Sequence, residues 1–222
     1  YIALSVLVSV IPFIFLKSKS RYLFLISIFG VFLMCNSYQG SSGIYPVFLM
    51  TLLLGDIVNK KKINGIVKKI SVATSAYVLA IGLYFIETRF NSNLSLRGDT
   101  TKIASLSEMP TAIVKNLSVY FSTLRSQLTN SWLYLFYILV ILIIFYVVYN
   151  SKINKIVTLF LTIIYLYLGA IFSFGIYMFF STPLASIRPR YEYGFAFFVG
   201  LLLVSLGQYI SHTLLDYIKG IV

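Results

Sequence analysis

The residue types that can do chemistry in this chain gather in a few short stretches. In SIRPRYEYG, Arg188 and Arg190 flank Pro189 and are followed by Tyr191, Glu192 and Tyr193. Arginine presents a planar fork of donors matched to phosphate oxygens, so two of them at a helix start suit a phosphate or pyrophosphate. The plainer reading is that they snorkel to ordinary anionic headgroups. In YQGSSGIYP, Tyr38 to Pro46, the residues Tyr38, Gln39 and Tyr45 surround a small-residue turn without any charge. Glutamine offers donors and an acceptor to sugar hydroxyls, and tyrosine an aromatic face and a hydroxyl. Taken alone, this stretch also reads as an aromatic belt around a flexible turn. Gly40 and Gly43 are expected to close it with positive φ, leaving Tyr38, Gln39 and Tyr45 at the lip.

These stretches need elements to hold them, and composition says which. Hydrophobic residues make up 59% of the chain and charged residues 11%, against about 25% charged in a water-soluble domain. With a mean hydropathy of +0.91, the chain reads as an integral membrane protein. Its net charge of +12 could indicate nucleic acid, but the basic residues lie in clusters between apolar runs, where they act as topology signals and lipid contacts. Cys35 is the lone cysteine, so an internal disulfide is excluded. The chain opens on Tyr1 inside an apolar run, and we expect it to be the C-terminal portion of a longer chain, a single transmembrane domain over 1–222.

Apolar runs at 1–16, 22–38, 44–58, 71–86, 132–150, 156–180 and 195–210 predict about seven crossings. They must be helices, because hydrocarbon offers the backbone no other partner short of a closed barrel. Unbroken runs such as LYLFYILVILIIFYVVY argue against a barrel's alternating strands. The expected fold class is therefore all-α, a polytopic helix bundle. Lys17, Lys19 and Arg21, then Lys60, Lys61, Lys62, Lys68 and Lys69, then Lys152 and Lys155, and finally Lys219 occupy alternate junctions. The positive-inside rule places these in the cytoplasm. The intervening junctions 39–43, 87–131 and 181–194 then face outward. Within 87–131, apolar residues from Pro110 onward recur at helical spacing and predict an external amphipathic helix over about 110–128. It either roofs a site or packs the loop down.

Several patterns are absent. No GxxxxGK, HExxH, GxSxG or paired-cysteine motif occurs, so neither a metal nor a cofactor is expected. His212 has no metal-ligand partners in range and reads as structural. No charged residue lies deep in an apolar run, which speaks against ion-coupled transport.

The order of elements, with NSYQGSSGIY carrying Tyr38 and Gln39 and PLASIRPRYEYGFAFFVGLLL carrying Arg190 or Arg188, resembles the bacterial membrane glucosyltransferases of the O-antigen-modifying (Gtr) type, with the C-type glycosyltransferase fold. That resemblance implies an enzyme of the bacterial cytoplasmic membrane, working on its external face. It would move a sugar, glucose by family, from a polyprenyl-phosphate carrier to a surface glycan. It implies donor phosphate binding by Arg190 or Arg188 and sugar or donor positioning by Tyr38 and Gln39. On the residues themselves, Tyr45 joins that turn as a positioning candidate, and the outward-facing acids Glu87, Asp99 and Glu192 are candidates for acceptor contacts. The family's key acid follows the first helix, so the catalytic acid is expected upstream of Tyr1. A polysaccharide polymerase, or a flippase or transporter of lipid-linked sugars, stands as the alternative.

Overall fold

The computed structural model describes residues 1–17, 20–90, 103–184 and 192–219, with Lys17, Arg89 and 208–219 described by backbone alone. Arg188, Arg190 and Asp99 lie outside the described residues. Those described form helices without a named strand: α1 (Ile2–Val10), α2 (Ser20–Ser37), α3 (Ile44–Val58), α4 (Ile63–Phe90), α5 (Met109–Gln127), α6 (Asn130–Asn150), α7 (Lys155–Phe172) and α8 (Tyr193–Lys219). Short 3-10 turns cover Ile11–Lys17, Gln39–Ser41 and Gly175–Phe179.

Five stretches, Ser20–Ser37, Gln39–Val58, Ile63–Thr88, Asn130–Asn150 and Lys155–Phe172, are long and apolar enough to cross a membrane. The apolar helical stretches Ile2–Leu16 and Tyr193–Gly207 are shorter, so five rather than seven crossings meet the length requirement among the described residues. The packing is that of a membrane protein. Tyr134, Leu135, Ile138, Ile141 and Phe145 of α6 all point outward and exposed, an apolar surface that water would not tolerate on this scale.

Local chemistry sets the helix ends. Pro110 sits in the first turn of α5, where its missing N–H costs nothing. The Asn154 side chain accepts from the Ile156 and Val157 amides and starts α7, relieving two of the helix's unpaired donors. Lys60, with φ 58°, turns the chain out of α3 in the left-handed conformation usual just past a helix end. The expected run 156–180 is not one helix. It stops at Phe172, and the chain folds back through Gly175, whose φ is +60°.

Three apolar clusters form the interior. One joins α1 to α4 around Val31, Met34, Tyr45, Ala73 and Ala80. Another joins α5 to the 174–184 segment around Tyr120, Phe174 and Phe180. The third joins α3, α6, α7 and α8 around Val47, Ile143, Tyr165, Phe198 and Leu202. Connections gather at two opposite ends. The Lys152 amide donates to the Val58 carbonyl at 3.0 Å, so junctions 59–62 and 151–154 share one end. The 38–43 turn, the end of α4, α5 and the 173–184 segment share the other.

Candidate active site

The 38–43 turn lies against the segment that follows α7, and small residues make the contact possible. A Cβ on Gly43 would stand 1.9 Å from the Ser173 carbonyl oxygen, and one on Gly194 at the same distance from the same oxygen. The Ser42 hydroxyl accepts from the Ile176 amide at 3.1 Å. Ser41 and Ser5 hydroxyls pair at 2.7 Å, and the Tyr77 hydroxyl donates to the Ser42 carbonyl at 2.7 Å. The glycines thus serve a different purpose from the one expected. Gly43 has φ −74°, and the positive φ belongs to Gly175. Gly43 provides room for a neighbouring backbone rather than an unusual dihedral.

The predicted site residues separate on this frame. Tyr38 is half-buried and meets Tyr193 edge-on, with ring centroids 6.0 Å apart, and Tyr1 at 6.2 Å. Gln39 donates from Nε2 to the Tyr84 hydroxyl. Glu87, one turn further along α4, accepts from Asn36 Nδ2 at 2.9 Å. Tyr45 does not stand at the lip. It is buried inside the first cluster, with its hydroxyl on Ser27 Oγ at 2.8 Å and its ring stacked on Tyr77. The cause is position: Tyr45 opens α3 on the face turned toward α2 and α4.

Glu192 is buried immediately before α8, and its Oε1 has no hydrogen-bond partner. Burial pushes its carboxyl up to about 7, because desolvation disfavours the charged form. Helix α5 lies over the same region through Ala112, Asn116 and Tyr120. Asn116 Nδ2 donates to the carbonyls of Tyr177, Met178 and Phe180 at 3.3, 3.0 and 2.7 Å. Tyr120 and Ser173 hydroxyls pair at 2.8 Å. Burial raises the Tyr120 phenol well above its ordinary value, and the negative charge of Glu192 adds to that. An isolated backbone bridge, with the Ala104 N–H donating to the Phe179 carbonyl at 3.0 Å, ties the segment before α5 to the same place.

Asn36, Tyr84, Asn116, Tyr120 and Ser173 were not anticipated. Spacing pointed to three of them: Tyr84 lies seven residues after Tyr77 on one face of α4, and Asn116 and Tyr120 lie four apart on one face of α5. The amphipathic helix packs the segment down through a polar seam rather than through apolar residues alone.

A bundle of apolar helices with an outward-facing apolar surface, gathering tyrosines, an amide and a carboxyl of raised pKa at one end, defines a polytopic membrane protein with a polar terminal site. The chain belongs to the Glucosyl transferase GtrII family, whose model matches residues 1–201. It is a glycosyltransferase by that membership. No curated protein and no solved structure matches it.

Proposed function

We propose that the protein transfers glucose from a polyprenyl-phosphate carrier to a surface glycan, on the external face of the bacterial cytoplasmic membrane. Transfer from such a donor is a displacement at the anomeric carbon with phosphate leaving. It requires positive charge at the phosphate and a base for the acceptor hydroxyl. Arg190 and Arg188 supply the charge. Tyr38 and Gln39 position the sugar or the donor, while Glu87, Asp99 and Glu192 meet the acceptor.

The observation carrying this reading is the contact of Tyr38 with Tyr193. It brings the tyrosine-glutamine turn to the residue that starts the last helix. Arg190 precedes Tyr193 by three residues, so chain length alone keeps its Cα within about 11 Å. Both features are then within reach of one lipid-borne phosphosugar. The dense lysines of the opposite end support an outward orientation for this end.

Arg190→Ala is expected to abolish most glycan glucosylation while protein abundance in the membrane stays unchanged, as read by labelled-glucose transfer and immunoblotting. Arg190→Lys restores only part, because a point charge lacks the paired donors. Normal transfer by Arg190→Ala removes the phosphate assignment.

A further inference from the structure

We infer that the cleft between α3, α6, α7 and α8 at the lysine-rich end binds an anionic phospholipid with a hydroxylated headgroup, of the phosphatidylglycerol type. This site does not depend on the transfer reaction proposed above.

The cleft encloses about 280 Å³, just below the roughly 300–1,000 Å³ of pockets for drug-sized ligands and on the scale of a headgroup. It reaches into the bundle. Its floor is formed by buried Ile143, Tyr165 and Leu202, and its mouth by exposed Gly55, Asn59 and Asn150. Thr51, beside Tyr165, lies eight residues before Asn59, so the cleft runs about 12 Å inward from the end of α3.

Its hydroxyls have already committed their protons. Thr51 Oγ1 donates to the Val47 carbonyl at 2.9 Å, so Tyr165 is the donor in the 2.9 Å contact between the two hydroxyls. Ser205 Oγ donates to the Leu201 carbonyl at 2.8 Å. Asn59 and Asn150 each commit an N–H, to the Gly55 and Tyr146 carbonyls at 2.8 and 3.0 Å, and keep Oδ1. A hydroxyl carries one proton and two lone pairs, so these walls offer a ligand mostly acceptor oxygens. An ionised phosphate brings acceptors only and finds no match there. Glycerol hydroxyls bring the donors.

Cations adjoin the mouth instead. Lys60 follows Asn59 directly, and the Lys152 amide donates to the carbonyl of Val58, another lining residue, at 3.0 Å. Both lysines are exposed, and the ion pairs among the described residues engage Lys61 and Lys69 rather than these two. Basic pockets between membrane helices hold anionic headgroups. Acceptors within and ammonium groups at the rim fit a phosphodiester whose outer glycerol points inward. Its hydroxyls meet the oxygens of Tyr165 and Ser205, its phosphate meets Lys60 and Lys152, and its acyl chains run along the apolar outside of the bundle.

The test titrates the full chain in detergent with phosphatidylglycerol, phosphatidic acid and phosphatidylcholine of matched acyl chains. Bound lipid is read by native mass spectrometry. Phosphatidic acid keeps the phosphate without the glycerol head, and phosphatidylcholine has no net charge. Phosphatidylglycerol is expected to bind about tenfold tighter than phosphatidic acid, the yield of two modest hydrogen bonds, and phosphatidylcholine weakest. Tyr165→Phe should lower the phosphatidylglycerol affinity by about two- to tenfold and leave phosphatidic acid unchanged, whereas a merely structural role would lower both. Lys60→Gln combined with Lys152→Gln should bring both anionic lipids toward phosphatidylcholine. Equal binding of phosphatidylglycerol and phosphatidic acid, as a cleft holding only water would give, overturns the inference. So does wild-type preference in Tyr165→Phe. Should that variant fail to accumulate, Gly55→Leu decides. Gly55 lines the cleft and a Cβ there meets nothing within 4 Å, so the larger side chain takes up the ligand's space, and an unchanged preference overturns the assignment. Displacement of phosphatidylglycerol by polyprenyl-phosphate glucose at equal concentration also overturns it, in favour of a second donor site. Glucosylation enters none of these readings, so the site and the proposed function fail separately.

Discussion

The two ends of the bundle are held together by different physics. At the lysine-rich end, Asp56 is buried and takes both Lys61 and Lys69. Lys155 reaches back to the carbonyls of Tyr149 and Ser151 at 2.7 and 2.9 Å. Long charged side chains bridge connections there, and their heads remain in reach of water. At the tyrosine-rich end, the chain segments approach backbone to backbone, over glycines and through serine hydroxyls. Charges tolerate slack because Coulomb attraction falls off gradually, whereas close backbone contact does not. A site that must position a sugar needs the second kind of rigidity. Orientation in the membrane needs only the first.

That contrast can be broken one end at a time. Gly43→Ala is expected to have the larger effect, because the new methyl meets the Ser173 backbone rather than a movable side chain. We expect a loss of about 3 kcal/mol, read as a fall in the unfolding midpoint in detergent, together with reduced glucosylation. Wild-type stability in Gly43→Ala would show that the turn and the 173–176 segment are not in register. Asp56→Asn should cost less, about 1–2 kcal/mol. It removes a buried acceptor, but Lys61 stays largely exposed and Lys69 partly so, so neither cation is stranded. Glucosylation by the protein that remains folded should be unaffected, since Asp56 is at the far end. A selective loss of transfer in Asp56→Asn would mean the two ends are coupled.

Much of this architecture was legible from residue order. The apolar runs marked most of the helices because hydrocarbon leaves the backbone few options. The spacing after Pro110 marked α5, which extends over Met109–Gln127. What escaped the sequence was tertiary. Nothing local distinguishes Tyr38, half-buried, from Tyr45, seven residues later and buried. The outcome depends on which face of α3 meets α2 and α4. Gly40 and Gly43 read as conformational devices, yet the role of Gly43 became visible only with the Ser173 carbonyl opposite it, and that of Gly40 with the Tyr38 ring against it. The 156–180 run looked continuous, because Gly175 carries no local hydropathy signal for a reversal. Glu192 read as an acceptor contact beside the arginines, and its burial with Oε1 unpartnered became visible only in the fold.

Sidedness is tested most directly by labelling intact cells with a membrane-impermeant maleimide. In a Cys35→Ala background, which removes the sole cysteine, single cysteines replace exposed Asn36 at the tyrosine end, Arg190 before the last helix, and exposed Lys62 at the lysine end. Asn36→Cys and Arg190→Cys are expected to label from outside, and Lys62→Cys only after the membrane is permeabilised. Outside labelling of Lys62→Cys, with Asn36→Cys protected, or labelling of Asn36→Cys and Arg190→Cys from opposite sides, would contradict the external active face.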